Sequence, residues 1–545
     1  IKYNNIRIFD ISLFYTGSLR NVAKEFKLEE EKGVFPYNFV NKNNINYNGE
    51  IPELKWWNSE EDYNEYINKF GKKFNMEKYT KKYCVLDSKL VFKIAQEHIK
   101  NCQGTLNNRK FNVINCGTGA GLAMKLFTQC YLKEDLIQSP NEIIIFERES
   151  YKGGRTEKFK NSFKPNEDER LYYYDINSSY PYSMTKLMPF KYIRTMPGYF
   201  IADKLNIDRL TDYNLYSCKW TYTGKDINII PNLLIREENS GEIIAVKDSY
   251  KYTYHWGNEL KEAILNGFSI EINKELEYEG KDIFSGYVNY LYNERLNDKK
   301  NGNASQALYK KLLLNSLYGK FGQKAFTKSC LCKSNEDVYF KLHKDNGTLK
   351  SFEVYDGIIM IEYDCEENRN ISIGKLVRFS SFIAAESRCN LSKFMRNVGH
   401  ENVYYCDTDS VFTSKKPDDS FISQSELGKW KQETKTPIIK AVFIAPKVYS
   451  YLTESRECAQ KAKGINGEKV DNKEFYDLSE KNIKNINQEM MMFKRGFDGI
   501  KINKQERNIK EVNNKRIWNG NNSVSYNTVK EWKKNKELEN KIKCV

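Results

Sequence analysis

Asp407 and Asp409 stand one residue apart between two short β-prone runs, NVYY at 402–405 and VFT at 411–413. So short a spacer makes the chain turn back on itself as a tight hairpin with both acids at its tip. Such a tip can hold metal, although Asp and Thr also favour turns that have no further role. Upstream, LYYYDINSSYPYSM at 171–184 supplies a third acid. Leu171 to Tyr174 reads as a buried strand, and Asp175 falls where the strand gives way to an Asn/Ser/Pro-rich turn. Three carboxylates from separate strands suit hard divalent cations. Two ions about 3.5–4 Å apart would lower the pKa of an attacking hydroxyl and stabilise a leaving pyrophosphate. Asp175 and Asp409 are the predicted principal ligands; for Asp407, direct ligation and a structural part both stay open.

Between these acids lies ASQALYKKLLLNSLYGKFG, residues 304–322. Good helix formers run to Tyr318, and Gly319 is placed to end the helix. Lys311, Asn315 and Tyr318, at i, i+4 and i+7, then share one face. That face suits a nucleotide, with lysine for the triphosphate and a ring for the nascent base pair. An ordinary amphipathic helix with a solvated lysine and a packed tyrosine is the alternative.

Composition enters as support only. The formal charge is +15 over 545 residues, with 38 Tyr and 30 Phe among the lysines, which suits a channel that neutralises phosphates and stacks on bases. An AT-rich coding sequence would also enrich Lys, Asn, Ile and Tyr. No apolar run approaches the ~18–20 residues of a membrane-spanning helix. The 12 cysteines include no CxxC pair and there are only 4 histidines, so a zinc site has little to build on, and the thiols read as reduced and intracellular.

In order, DINSSYP, KLLLNSLYG and YCDTDS resemble motifs A, B and C of the family B DNA polymerases. YKGGRTE at 151–157 resembles the family's YxGG linker between exonuclease and polymerase regions, and PKVYSY at 446–451 its KxY motif. Both point to the protein-primed branch, and GGRTE, GSLRNVAKEF and FPYNFV are most similar to the polymerases of linear plasmids. The resemblance implies an α/β (α+β) chain with a right-hand palm, fingers and thumb, preceded by the carboxyl-terminal part of an RNase H-like 3′-5′ exonuclease domain. It implies template-directed DNA synthesis on a primer protein, with Mg2+ (two ions, Mn2+ able to substitute), DNA template and primer, dNTPs and a terminal protein as partners. A monomer with no membrane association is expected, in the mitochondrion or, alternatively, the cytoplasm.

By the same resemblance, Asp175, Asp407 and Asp409 are the catalytic acids, with the Ile176 carbonyl completing a metal shell. Tyr180 is the steric gate against a 2′-hydroxyl. Lys299, Lys311, Asn315 and Tyr318 complete the nucleotide site. Tyr151, Gly153, Gly154, Arg155, Thr408, Lys447 and Tyr449 would contact DNA. Ser179 departs from the family, which usually has leucine there. KYCVLDSKLV at 82–91 resembles the third exonuclease motif through Tyr83 and Asp87, but the family's DxE motif is absent, and Asp10 in NIRIFD reads as the residue of a later strand. Proofreading is therefore doubtful, and the start at Ile1 suggests an amino-terminally truncated fragment.

The implied organisation is a partial exonuclease domain at 1–115, a linker at 116–157, palm and fingers with insertions at 158–464, and a thumb and tail from 465. The first insertion, between motifs A and B, would help dock the priming protein. The second, between Phe321 and Asn402, would encircle DNA. GTGAGLAMKLF at 117–127 lacks the spacing of a phosphate loop. The lysines of 533–543 read as a solvated surface. Two further readings stay open: a non-catalytic DNA-binding relic, and another palm-type nucleotidyltransferase such as a reverse transcriptase or RNA polymerase.

Overall fold

The computed structural model describes residues 2–3, 6–7, 10–15, 18–28, 33–41, 43–105, 116–165, 169–323, 327–345, 347–355, 357–365, 376–465, 470–496 and 499–543. Asn5, Ile8, Phe9 and Gly17, which fall within the motif readings above, lie outside them. The chain divides into two compact units, one of residues 1–130 with 289–317, the other of 131–288 with 318–545.

The first unit is built on the helix Met76–Thr105. Ser18 caps the helix Leu19–Glu25 by accepting from the Asn21 N–H at 3.2 Å, and Val22, Ala23 and Phe26 are buried. An aromatic cluster of Phe35, Phe39, Trp57, Tyr66, Phe74, Tyr79 and Tyr83 forms its core. Its described strands make two antiparallel pairs, Lys2–Tyr3 with Ile6–Arg7 and Asn48–Glu50 with Lys73–Asn75. The glycine-rich stretch becomes the helix Gly119–Cys130, whose Leu122, Ala123, Leu126 and Phe127 are buried, so it is a packing element. The helix Ala304–Phe321 passes through Gly319, which corrects the predicted stop. A glycine lowers helix propensity by about 1 kcal/mol and does not by itself break a helix.

The second unit centres on a five-stranded antiparallel sheet. Its strands lie in the order Trp430–Gln432, Tyr172–Ile176, Ser410–Thr413, Val403–Asp407 and Thr156–Lys158. Alternate residues serve two cores, as the strand period of two requires. Tyr174, Ile176, Cys406 and Val411 pack with Leu391, Phe394 and Met395 of the helix Val377–Val398. Tyr405 and Phe412 pack with Phe443 and Tyr449 of the next sheet. A register shift between Val403 and Tyr405 sends these two residues to different cores despite their matching parity. The helix Val377–Val398 stops at Gly399, which takes φ +85°.

The two segments expected to be insertions each carry a sheet and a hydrophobic cluster. Between motifs A and B, strands Thr253–Trp256, Leu215–Tyr222, Phe268–Lys281 and Met188–Ala202 form one sheet over a core containing Trp220, Leu260 and Ile272. Tyr526, Val529 and Trp532 join that core, so the carboxyl-terminal helix Val529–Lys543 is docked by its start. Lys533 pairs with Glu237 at 2.8 Å and Lys536 with Glu242 at 2.7 Å, so these two lysines are not simply solvated. The second insertion is a three-stranded sheet, Thr327–Cys332, Ile358–Cys365 and Gly347–Tyr355, under the helix Asn335–Lys344.

Candidate active site

The predicted hairpin forms with Asp407 opposite Ser410 and only Thr408 and Asp409 between them. The Asp409 N–H donates to the Asp407 carbonyl at 2.7 Å, closing a three-residue turn around Thr408 at φ +63°. A β-branched residue is rarely found with positive φ, and a γ-turn of this sign is strained. The Thr408 N–H donates to the Arg155 carbonyl at 2.6 Å, so the YKGGR segment holds the strained tip. Gly154 must lack a side chain here, because a Cβ would sit 2.6 Å from Thr408 Cγ2.

Asp175 is brought to the same place by sheet register. It lies opposite Ser410, and the Ile176 N–H donates to the Asp409 carbonyl at 2.9 Å. Asp175 and Asp409 therefore emerge from adjacent strands at one end of the sheet. Beyond Asp175 the chain turns through Ser178 at φ +58° into the helix Ser179–Met184. The Asn177 N–H donates to the Lys429 carbonyl at 2.8 Å, and the Asn177 side-chain amide donates to the Ser423 carbonyl at 2.9 Å. Ser179, the departure from leucine, is buried and its hydroxyl meets that of Ser387 at 2.8 Å, so a hydrogen bond replaces apolar packing. Ser178, Thr408 and Lys447 all carry positive φ, and such strain concentrates where function over-determines the backbone.

Asp407 is engaged differently. Lys447 Nζ donates to its two oxygens at 2.7 and 2.8 Å, and the Thr156 hydroxyl donates at 2.8 Å. The Lys447 backbone N–H in turn donates to the buried Tyr405 hydroxyl at 2.8 Å. Among the described residues no group of three or more His, Cys, Asp or Glu side chains is gathered to hold a metal ion.

Tyr180 and Tyr318 stack with ring centroids 4.0 Å apart and planes 20° from parallel. Burial raises the pKa of both hydroxyls, and Asp409 contributes to the rise in each, which puts its charge within reach of the pair. The Ser380 hydroxyl donates to the Tyr318 carbonyl, fixing this end of the helix. Tyr151 lies close to Gly322, where a Cβ would approach its ring to 2.7 Å. Lys311 and Asn315 are exposed on the turns before Tyr318. Lys299 lies in the last turn of the helix Ser285–Lys300.

Of the residues predicted to contact DNA, two face protein instead of solvent. The Arg155 guanidinium is buried, paired with Glu157 at 2.8 Å and donating to the Pro231 carbonyl at 2.6 Å. The Tyr449 ring is buried among Tyr405, Phe412 and Phe443. Both support the hairpin from beneath. A Cβ on Gly153 would meet nothing within 4 Å. Tyr83 of the exonuclease-like motif bonds the Tyr37 hydroxyl at 2.7 Å and stands in the aromatic core. Sequence reasoning missed Arg388, which donates to the Gly153 carbonyl at 3.0 Å and to the Lys152 carbonyl and pairs with Glu259 at 2.7 Å. Its only signal was a charge inside an otherwise buried helix.

Residues 1–415 match the model of DNA polymerase type B, organellar and viral. The chain belongs to this family. A probable DNA polymerase of Podospora anserina is 28% identical over 527 residues, covering 87% of this chain and 41% of the relative. One of Agaricus bitorquis is 28% identical over 489 residues, covering 82% and 58%. The chain thus spans about half the length of these relatives. The fold is that of Phi29 DNA polymerase, with TM-score 0.63, 17% identity and coverage of 93% of this chain and 82% of that one.

Proposed function

We propose that this chain carries out template-directed addition of deoxynucleotides to a 3′-hydroxyl with release of pyrophosphate. The observation that carries the reading is the register placing Asp175 against Ser410, one residue from Asp409, with Tyr180 of motif A stacked on Tyr318 of motif B. The donors suit hard cations: carboxylates of Asp175 and Asp409 with the Ile176 carbonyl nearby, all oxygen. Two Mg2+ ions held there would activate the attacking hydroxyl and neutralise the departing pyrophosphate. Asp407 serves mainly by anchoring Lys447 at the hairpin. Tyr180 excludes a 2′-hydroxyl, and its stacking on Tyr318 means that an incoming base and sugar must part the two rings.

Lys299, Lys311 and Asn315 would bind the triphosphate and its base pair. Tyr151, Gly153, Thr408 and Lys447 would follow the primer and template, with Gly154, Arg155 and Tyr449 shaping that surface from below. Initiation on a terminal protein and a role in replicating a linear plasmid rest on the GGRTE and KxY resemblance, and work as a monomer in the mitochondrion is the accompanying expectation. No described helix is long and apolar enough to cross a membrane. Primer extension on DNA and RNA templates with dNTPs or rNTPs tests the reading. DNA-templated dNTP use supports it, whereas RNA-templated or rNTP synthesis favours another palm-type transferase. DNA binding with no synthesis favours a relic.

A further inference from the structure

Within the first compact unit a buried polar chain ties the helix Met76–Thr105 to the helix Ala304–Phe321. The Tyr15 hydroxyl meets His98 Nδ1 at 2.9 Å, His98 Nε2 lies 3.9 Å from Cys102 Sγ, and Cys102 Sγ lies 2.7 Å from the Tyr309 hydroxyl. The His98 and Tyr309 rings meet edge to face at 5.8 Å. One turn away, Gln306 Nε2 donates to Asn101 Oδ1 at 2.8 Å. Lys27 Nζ donates to the Gly302 carbonyl at 2.8 Å, at the turn between the two long helices of residues 285–321. Lys310 pairs with Asp298 at 2.5 Å, locking those helices together.

The chain is built to stay neutral. Burial lowers His98 to about 4 and raises Cys102 to about 12, so near pH 7 neither is charged. A neutral, buried, hydrogen-bonded chain holds geometry without the desolvation cost of ions. It has no part in the chemistry proposed above, and it acts on the helix whose opposite, exposed side carries Lys311 and Asn315.

We infer that the amino-terminal unit is a docking cradle for the fingers, in which Asn101 and Cys102 grip Gln306 and Tyr309 and so set where Lys311 and Asn315 present themselves to the incoming nucleotide. Tyr309 and Gln306 are positioning residues. This gives the residues around His98 a function in synthesis that requires no exonuclease activity. The inference rests on the reading of Lys311 and Asn315 as nucleotide contacts.

The test is steady-state single-nucleotide addition by the full chain, with DNA affinity measured separately. Each lost hydrogen bond is worth about a fivefold change in an equilibrium. Tyr309→Phe and Gln306→Ala should each raise the dNTP KM about fivefold, with kcat within twofold and DNA affinity unchanged. Cys102→Ser, which keeps a hydrogen-bonding hydroxyl, should stay near the parent, while Cys102→Ala should copy Tyr309→Phe. Hydrogen exchange along 304–321 should quicken in Tyr309→Phe, a readout needing no nucleotide. Unchanged exchange and unchanged KM would overturn the inference, as would a parallel fall of kcat and DNA affinity. Lys311→Ala separates the two readings: an unaltered KM there with quickened exchange in Tyr309→Phe removes the nucleotide face and leaves the docking.

Discussion

Asp407→Asn isolates what the first acid of the hairpin does. In the parent, its carboxylate accepts from Lys447 Nζ at 2.7 and 2.8 Å and from the Thr156 hydroxyl at 2.8 Å. Asparagine keeps one oxygen for Thr156 but loses the charge that holds the ammonium. A hydrogen bond to a charged group is worth about 1.5–3 kcal/mol net. The Lys447 side chain is 48% exposed, so solvent screens the pair and about 1–2 kcal/mol is the better figure. That energy is a factor of about 5–30 in the population of the ordered tip. Primer-extension rates should therefore fall by about that factor in Asp407→Asn, and by at least that factor in Lys447→Met, which also removes the lysine proposed to touch the primer. The double variant should fall no further than Lys447→Met, because the Asp407 change then breaks an interaction already lost. The reasoning is refuted if Asp407→Asn is as inactive as Asp409→Asn and the Lys447→Met effect multiplies with it, since Asp407 would then act directly on the ions.

Gly154→Ala pushes a Cβ to 2.6 Å from Thr408 Cγ2 and 2.9 Å from its Oγ1, so extension should drop about tenfold or more for a shift costing about 1.4 kcal/mol or above. Adding Thr408→Gly removes both clashing atoms and should restore part of the rate; no recovery would place the damage elsewhere. Tyr180→Val should relax discrimination against ribonucleotides in competitive incorporation, and an unaltered dNTP to rNTP ratio would remove Tyr180 as the gate. Burial lowers the Lys152 amine to about 8, against about 10.4 when unfolded. Between those values the unfolded chain binds the extra proton, so this residue makes stability rise with pH across the window. Lys152→Met should flatten that rise in urea unfolding at about pH 7.5, 9 and 10.5, and an unchanged slope would contradict the assignment.

The local parts of this molecule were legible wherever chemistry is written in short spacing. The five residues between the β-prone runs 402–405 and 411–413, with two acids among them, marked the Asp407–Asp409 hairpin. What spacing could not show was partnership across long stretches of chain. Nothing near Lys447 announces Asp407, 40 residues away, and nothing near Ser179 announces Ser387. Gly319 misled because glycine is a stop only where the chain needs positive φ, and here the helix continues to Phe321 on its tertiary contacts. Arg155, carried over as a DNA contact from the YKGGRTE resemblance, has its guanidinium in a buried cluster with Glu157 and the distant Arg516. The grouping of residues 289–317 with 1–130 has no composition boundary to betray it. It arises from side chains such as Gln306 and Tyr309 that look unremarkable in an amphipathic helix.

The most direct test compares single-turnover primer extension in Mg2+ by the parent, Asp175→Ala and Asp409→Ala, with primer-template affinity measured in parallel. The account predicts that both variants bind DNA like the parent and lose extension by about a thousandfold or more, since each removes an oxygen donor worth several kcal/mol to the transferring phosphate. Extension surviving in either variant, with DNA bound normally, would contradict the claim that the acids of these two adjacent strands carry the reaction.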